Sequence, residues 1–145
     1  MKNVILSVAF LLFGLPVFSQ TPLAPQSEAQ QLTEKLAAKY NLTEDQKADM
    51  LVVQQRNFRN LAEIEDLKNT NPMLYVRKLK ALAYAYDGTM RRLLDREQRA
   101  IYFNEKTALR KQKAKASKDL KDSGASDLQI ELKLTELERE NLTKE

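Results

Sequence analysis

The 145-residue sequence contains no cysteine, no histidine and no tryptophan. The missing thiol and imidazole groups are the strongest side-chain nucleophile, the commonest general base and the preferred ligands of transition metals. No serine lies in a motif that would activate it, and the paired carboxylates fall on predicted solvated faces of helices. We therefore expect that the protein is not an enzyme and that it holds neither a cofactor nor a metal ion.

Proline and glycine are scarce as well. Between Gln26 and Glu145 the sequence has one proline, Pro72, and two glycines, Gly88 and Gly124. So few helix breakers among abundant Ala, Leu, Glu, Lys, Gln and Arg predict helices over nearly the whole length. Because there is no cysteine to form disulfides, packing alone must hold these helices together. The expected fold class is all-α, with four to five helices in an elongated antiparallel hairpin arrangement.

Residues 1–19 have the pattern of a secretory signal peptide. Lys2 precedes an apolar run over residues 4–13, and a cleavage site is expected near Ser19 and Gln20. The run is too short for an ordinary membrane span, and no later segment is apolar enough to provide one. We therefore expect an exported, periplasmic protein that has no membrane span once the leader is removed.

After the leader, three long helices are expected between a first short helix and a tail. Asn71 and Pro72 predict a helix start, and Gly124 predicts a helix end. The segment "DLQIELKL" in the tail alternates apolar and polar residues as a strand would, but no second strand can pair with it, so we expect a helix. The predicted divisions are the signal peptide (1–19), a flexible lead-in (20–26), a helical domain (27–122) and a C-terminal helical tail (123–145). Within the helical domain, Ser27 is expected to cap the first helix, and the later helices are expected near 44–67, 72–93 and 96–121.

Basic residues are concentrated in the middle of the sequence. The formal net charge is −2 over residues 20–70, +9 over residues 71–121 and −4 over residues 122–145. A positive middle attracts anionic or amphipathic partners over about one Debye length, roughly 10 Å at 0.1 M salt. Nucleic acid would be the usual candidate, but an exported protein does not meet it, so we expect no nucleic-acid partner.

The phrases "LTEDQKA" and "LDREQRA" are two copies of one pattern, L-[TD]-x-[DE]-Q-[KR]-A, and they start 52 residues apart. In each copy a helix-capping residue is followed three places later by a glutamine, whose amide can return a hydrogen bond to the backbone N–H of the cap. Such a capping box stabilises a helix start by about 0.5–2 kcal/mol, and capping suffices to explain either copy on its own. The residues of the pattern are Leu42, Thr43 and Gln46 in the first copy and Leu94, Asp95 and Gln98 in the second.

Together the two phrases, each opening a long helix in a small exported basic protein, resemble the periplasmic Spy and CpxP family, whose hallmark is a pair of LTxxQ motifs at helix starts. "LTEDQ" matches the motif fully, whereas "LDREQ" has aspartate in place of threonine. The resemblance covers about Leu42 to Leu109. It implies a cradle-shaped antiparallel homodimer that acts as an ATP-independent chaperone for unfolded or stressed envelope proteins. The alternative that it implies is a regulator that binds the periplasmic domain of an envelope-stress sensor kinase.

A surface for client proteins is predicted beside the apolar stripes of the second and third helices. Arginine and lysine attract an unfolded chain from a distance, and modest apolar contacts then hold it weakly. Each of the cationic side chains alone is explained more simply as part of a solvated helix face, and only together do they suggest a binding surface. The tail from Asp127 is a candidate coiled-coil partner of a larger assembly. The predicted client-binding residues are Met50, Val53, Phe58, Leu61, Arg77, Lys80, Arg91, Arg92, Arg96 and Arg99.

Overall fold

The computed structural model describes residues 25–143, and within them the chain forms six α-helices and no strand. The predicted all-α class is therefore confirmed. The predicted signal peptide (1–19) and residues 20–24 of the predicted lead-in lie outside the described residues. The helices are α1 (Pro25–Tyr40), α2 (Glu44–Ile64), α3 (Leu67–Thr70), α4 (Pro72–Leu93), α5 (Arg96–Asp122) and α6 (Asp127–Thr143).

The five longer helices pack antiparallel, and α3 is a single turn between α2 and α4. Helix α1 lies against α2, α2 lies against α4, and α6 contacts both α4 and α5. Among residues 25–143, no helix combines the length and the apolar character that a bilayer span requires.

Helices α4 and α5 begin at the predicted residues because local capping groups set their starts. The Asn71 side chain accepts a hydrogen bond from the Leu74 N–H at 3.1 Å. Pro72 follows at the first helical position, where the N–H that proline lacks would have no partner in the helix.

Helix α2 ends at Ile64, three residues before the predicted end, because the backbone tightens there. The Glu65 N–H donates to the Ala62 carbonyl at 3.3 Å, and the Lys68 N–H donates to the Glu65 carbonyl at 3.0 Å. Both bonds reach three residues back, which is the 3₁₀ pattern common at helix ends. The predicted single helix over 44–67 is therefore corrected to α2 followed by the single turn α3.

Helix α1 begins at Pro25, so residues 25–26 of the predicted lead-in are helical and Ser27 lies inside the helix instead of capping it. Proline is compatible with the first turn of a helix, where its missing N–H costs no hydrogen bond and its ring presets a helical φ angle.

The tail forms a helix, as predicted, and its start explains why the alternating pattern does not make a strand. Gly124 has a φ of 78° and its N–H donates to the Lys121 carbonyl at 3.0 Å, which ends α5. The Ser126 N–H then donates to Gln129 Oε1 at 2.8 Å, and the Gln129 N–H donates to Ser126 Oγ at 3.4 Å. This capping box starts α6 with the same geometry as the two repeated phrases.

Two apolar clusters form the core. The first joins α1, α2 and α4 to the start of α5, and the second joins α2, α4 and α6. Since the chain has no cysteine, burial of these side chains is what holds the helices together. The first cluster contains Leu32, Leu36, Tyr40, Met50, Met90, Leu94 and Tyr102, and the second contains Leu61, Ile64, Tyr75 and Leu79.

Candidate functional site

Both repeated phrases form the predicted capping boxes. The Thr43 N–H donates to Gln46 Oε1 at 3.0 Å, and the Gln46 N–H donates to Thr43 Oγ1 at 3.2 Å. At the second phrase the Asp95 N–H donates to Gln98 Oε1 at 2.9 Å, and the Gln98 N–H donates to Asp95 Oδ1 at 2.9 Å. The first phrase starts α2 and the second starts α5, so each marks a helix start as predicted.

The two glutamines also bind each other. Gln46 Nε2 donates to Gln98 Oε1 at 2.8 Å, and Gln98 Nε2 donates to Gln46 Oε1 at 3.0 Å. Each amide nitrogen donates in addition to the carbonyl that precedes the leucine of the other phrase, at Leu93 (2.9 Å) and Asn41 (3.3 Å). Every donor and acceptor of both side-chain amides is therefore satisfied in a nearly symmetric pair, which we call the glutamine junction.

The glutamine junction explains why the phrase occurs twice, since each copy completes the hydrogen bonds of the other. Leu94 is buried in the first core cluster, and Leu42 packs against the same cluster. The junction therefore holds the start of α5 against the start of α2, and it sets the position of the cationic end of α4. Two matching phrases were the only signal in the sequence for this contact.

A groove of about 680 Å³ runs between α2 and α4. We call it the α2–α4 groove, and its polar character comes from arginine and asparagine side chains that α2 and α4 contribute. Its lining includes Arg56, Asn57 and Asn60 from α2 and Tyr84, Tyr86, Asp87, Arg91 and Arg92 from α4.

A second groove of about 230 Å³, the α4–α6 groove, lies among α4, α5 and α6. Tyr84 lines both grooves and is 83% exposed, so it stands on the ridge that separates them. The charged side chains of the α4–α6 groove are four cations, Lys80, Lys106, Arg110 and Lys113, and two carboxylates, Asp87 and Glu138.

Arg91 occupies a defined position beside the ridge. Its Nε donates to Asp87 Oδ2 at 2.8 Å, and its guanidinium lies over the Phe103 ring at 5.1 Å from the ring centroid. Asp87 also accepts from the Tyr102 hydroxyl at 2.9 Å. The Nε of Arg99 donates to the Asp95 carbonyl at 3.0 Å. These contacts hold Arg91 in a fixed position over the exposed Phe103 ring.

Three other predicted cations, Arg77, Arg92 and Arg96, lie on exposed helix positions. Within residues 25–143 none of the three forms an ion pair with a carboxylate. They keep their full charge available to a partner, whereas Lys80 is paired with Glu131 of the tail.

The apolar half of the predicted client surface is inside the fold. Met50, Val53 and Leu61 are buried, and Phe58 is half-buried against the first core cluster. The apolar stripe of α2 is covered by α1 and α4, because removing apolar side chains from water stabilises the folded state. The prediction that these four residues form an open surface is therefore corrected. The large apolar side chains that are exposed within residues 25–143 are Val52, Met73, Tyr84, Ile101, Phe103 and Leu128.

The acidic tail folds over the basic middle of the chain. The charge blocks are visible in the sequence, but their pairing depends on where α6 lies in the fold. The ion pairs of α6 with the rest of the fold include Lys80 with Glu131, Lys68 with Glu136 (2.9 Å), Lys106 and Lys113 with Glu138 (2.9 and 2.7 Å), and Arg139 with Glu65 (2.7 Å).

Glu138 is the most enclosed of these carboxylates, with 12% of its side chain exposed. Burial disfavours its charged form, but the hydrogen bonds and charges of Lys113 and Lys106 outweigh burial and lower the pKa of Glu138. Burial likewise opposes the charge of Arg139, and Glu65 more than compensates, so the pKa of Arg139 is raised. Both shifts favour the charged forms of Glu138 and Arg139.

Metal ligands are not assembled within the described part of the chain, where no cluster of three or more Asp, Glu, His or Cys side chains is placed to hold an ion. Comparison of the chain with protein-family models, curated proteins and solved structures finds no match. The resemblance to the Spy and CpxP family thus rests on the sequence features described above and stays a prediction.

Proposed function

We propose that this protein is a periplasmic, ATP-independent chaperone-like protein that binds unfolded or stressed envelope proteins. The observation that carries the proposal is the ridge of α4, where the exposed Tyr84 stands between two grooves lined by cations. The Tyr84 ring is 83% exposed and has cations on both sides, so it offers a flexible chain an apolar contact next to positive charge.

Binding would proceed in two steps. The unpaired charges of Arg77, Arg92 and Arg96 draw an acidic or amphipathic chain towards α4 and α5 over about a Debye length. Short-range contacts with Tyr84 and Phe103 then hold its apolar side chains, and the arginine stems cover further apolar surface. The sequence contains no glycine-rich phosphate loop, so release would follow when the client folds and hides its apolar groups.

The test is suppression of aggregation of a chemically denatured client by stoichiometric amounts of the chain that starts at Gln20. Tyr84→Ala and Arg92→Ala should each weaken suppression, because one removes the ridge and the other an unpaired cation. Lys35→Ala is the matched control, since Lys35 is an exposed cation on α1 that lines neither groove. Absence of any suppression by the unaltered chain at low and moderate salt would remove the proposal.

A regulatory role is the second candidate, and the fixed placement of Arg91 beside Phe103 is the observation that favours it. A folded acidic domain, such as the outer domain of a sensor kinase, requires cations at defined positions, whereas an unfolded client does not. Deleting the gene while following an envelope-stress reporter separates the two candidates. Loss of a regulator raises the signal without added misfolded protein, and loss of a chaperone does so only under stress.

The cradle-shaped homodimer is part of the same proposal. Small-angle scattering on the chain from Gln20 would distinguish an elongated dimer from a monomer with the dimensions of the single fold described above. If the measured mass and maximum dimension match a single copy, the homodimer proposal is wrong. The binding surface is then the Tyr84 ridge of one chain.

A further inference from the structure

Helix α6 covers a face of α4 and α5 that is both apolar and cationic. The α6 side chains Ile130, Leu137 and Leu142 are buried in the fold, and Leu132 of α6 packs against the second core cluster. Around these apolar contacts, the glutamates of α6 pair with lysines of other helices. Those lysines are Lys68, Lys80, Lys106 and Lys113.

The face therefore binds one kind of segment in the structure itself, an amphipathic helix with carboxylates along its edges. We propose that this face is a docking surface for acidic amphipathic segments of client proteins, and that α6 is a resident occupant that such segments displace. The inference rests on the proposed chaperone function and specifies the client chemistry and its regulation.

Two features of α6 favour its exchange. The Thr135 hydroxyl is buried, with the residue 2% exposed, and finds no hydrogen-bond partner among the described residues. The Lys80–Glu131 pair is half-exposed, so salt screens it and it contributes little to holding α6 in place. Because Thr135 belongs to α6, its hydroxyl gains hydrogen bonds to water when α6 leaves, so a client segment that buries no such group can compete with α6.

The position of α6 also allows it to leave without breaking another helix. It joins α5 through residues 123–126, where Gly124 has a φ of 78° and permits the chain to turn. The Tyr84 ridge and the α4–α6 groove open beside α6, where an incoming segment can make its first contacts.

Displacement would uncover additional apolar surface for the client. Tyr75 and Leu79 are fully buried in the second core cluster, to which α6 contributes Leu132. When α6 is in place these residues are hidden, so the protein does not expose them to other copies of itself. Clients with acidic amphipathic segments would be selected, because only they replace both the apolar contacts and the ion pairs.

Two tethered variants test the inference. Because the sequence contains no cysteine, only the introduced thiols react with the cross-linker. Lys80→Cys with Glu131→Cys, joined by a short bis-maleimide, holds α6 on α4, and the same variant capped with N-ethylmaleimide leaves α6 untethered. Glu34→Cys with Lys47→Cys is the matched control, because it joins α1 to α2 at another ion pair of 2.7 Å. The probe is a fluorescent synthetic peptide of residues 127–143, with binding followed by anisotropy.

The untethered protein should bind the peptide, and tethering of α6 should weaken binding by at least about tenfold, because the binding-competent state is no longer populated. A peptide carrying Glu131→Gln, Glu136→Gln and Glu138→Gln should bind more weakly to the untethered protein, and the α1–α2 tether should change nothing. Equal peptide binding with and without the α6 tether, or no peptide binding to either, would overturn the inference.

Aggregation suppression by the same proteins separates this inference from the proposed function. If the α6 tether blocks the peptide and reduces suppression, both stand. If it blocks the peptide while no form suppresses aggregation, the docking surface is real but the chaperone proposal fails. If suppression persists undiminished with α6 tethered, clients do not use this face and the inference is wrong.

Discussion

Removing the Gln98 side chain should break both the capping box of α5 and its link to the first phrase. Gln98 Oε1 accepts from the Asp95 N–H and from Gln46 Nε2, and Gln98 Nε2 donates to Gln46 Oε1 and to the Asn41 carbonyl. Gln98→Ala thus deletes four hydrogen bonds at a residue that is 7% exposed. The partner amide of Gln46 would be left without its main partner.

The expected loss follows from the number of bonds and their surroundings. A protein hydrogen bond contributes about 0.5–1.5 kcal/mol net, so four give about 2–6 kcal/mol. One of the four is long at 3.3 Å and the site is near the surface, so we expect Gln98→Ala to lower the free energy of unfolding by about 3 kcal/mol. Gln129→Ala removes the same part of the capping box of α6, which has no second glutamine, and should cost about 1 kcal/mol.

Urea denaturation followed by helical circular dichroism measures these losses. A double-mutant cycle of Gln46→Ala and Gln98→Ala should give a coupling free energy of about 1–2 kcal/mol, because each substitution removes the same pair of bonds. The reasoning is refuted if the two losses add within about 0.5 kcal/mol, or if Gln98→Ala costs no more than Gln129→Ala.

Three further predictions concern other parts of the fold. Because the folded state lowers the pKa of Glu138, its ion pairs stabilise the protein above the ordinary glutamate pKa of about 4.3 and are lost as pH falls through the lower folded value. Thermal unfolding between pH 3 and 7 should therefore show a steeper acid loss in the native chain than in Glu138→Gln. Gly88→Ala should stabilise the protein by up to about 1 kcal/mol, since the added Cβ would meet only the end of a flexible arginine side chain at 3.7 Å. Gly124→Ala should destabilise it by about 1 kcal/mol, because Gly124 has a φ of 78°. If urea denaturation shows that both substitutions change the free energy of unfolding in the same direction, this account is wrong. Tyr84→Ala should change the free energy of unfolding by less than about 0.5 kcal/mol while weakening client binding, and a large loss of stability would show that the ring is structural.

The helix starts and ends are the features that local sequence determined. Thr43 with Gln46, Asp95 with Gln98 and Pro72 each act on backbone groups within four residues, so their effect can be deduced without knowing the rest of the fold. The all-α class follows for the same reason, from the scarcity of breakers and the abundance of helix-forming residues. At the end of α2, where the chain has no such capping signal and the backbone changes to 3₁₀-type bonds, the predicted boundary was wrong by three residues.

The surface, by contrast, was decided by tertiary structure. Met50, Val53 and Leu61 looked available along α2, but the fold buries them, because an apolar stripe says which side of a helix avoids water and not which helix covers it. The pairing of Gln46 with Gln98 and the return of α6 onto the basic helices join residues that lie far apart in sequence. Composition and spacing specify what each helix can do alone, whereas burial, ion pairing and exposure depend on the simultaneous placement of all of them.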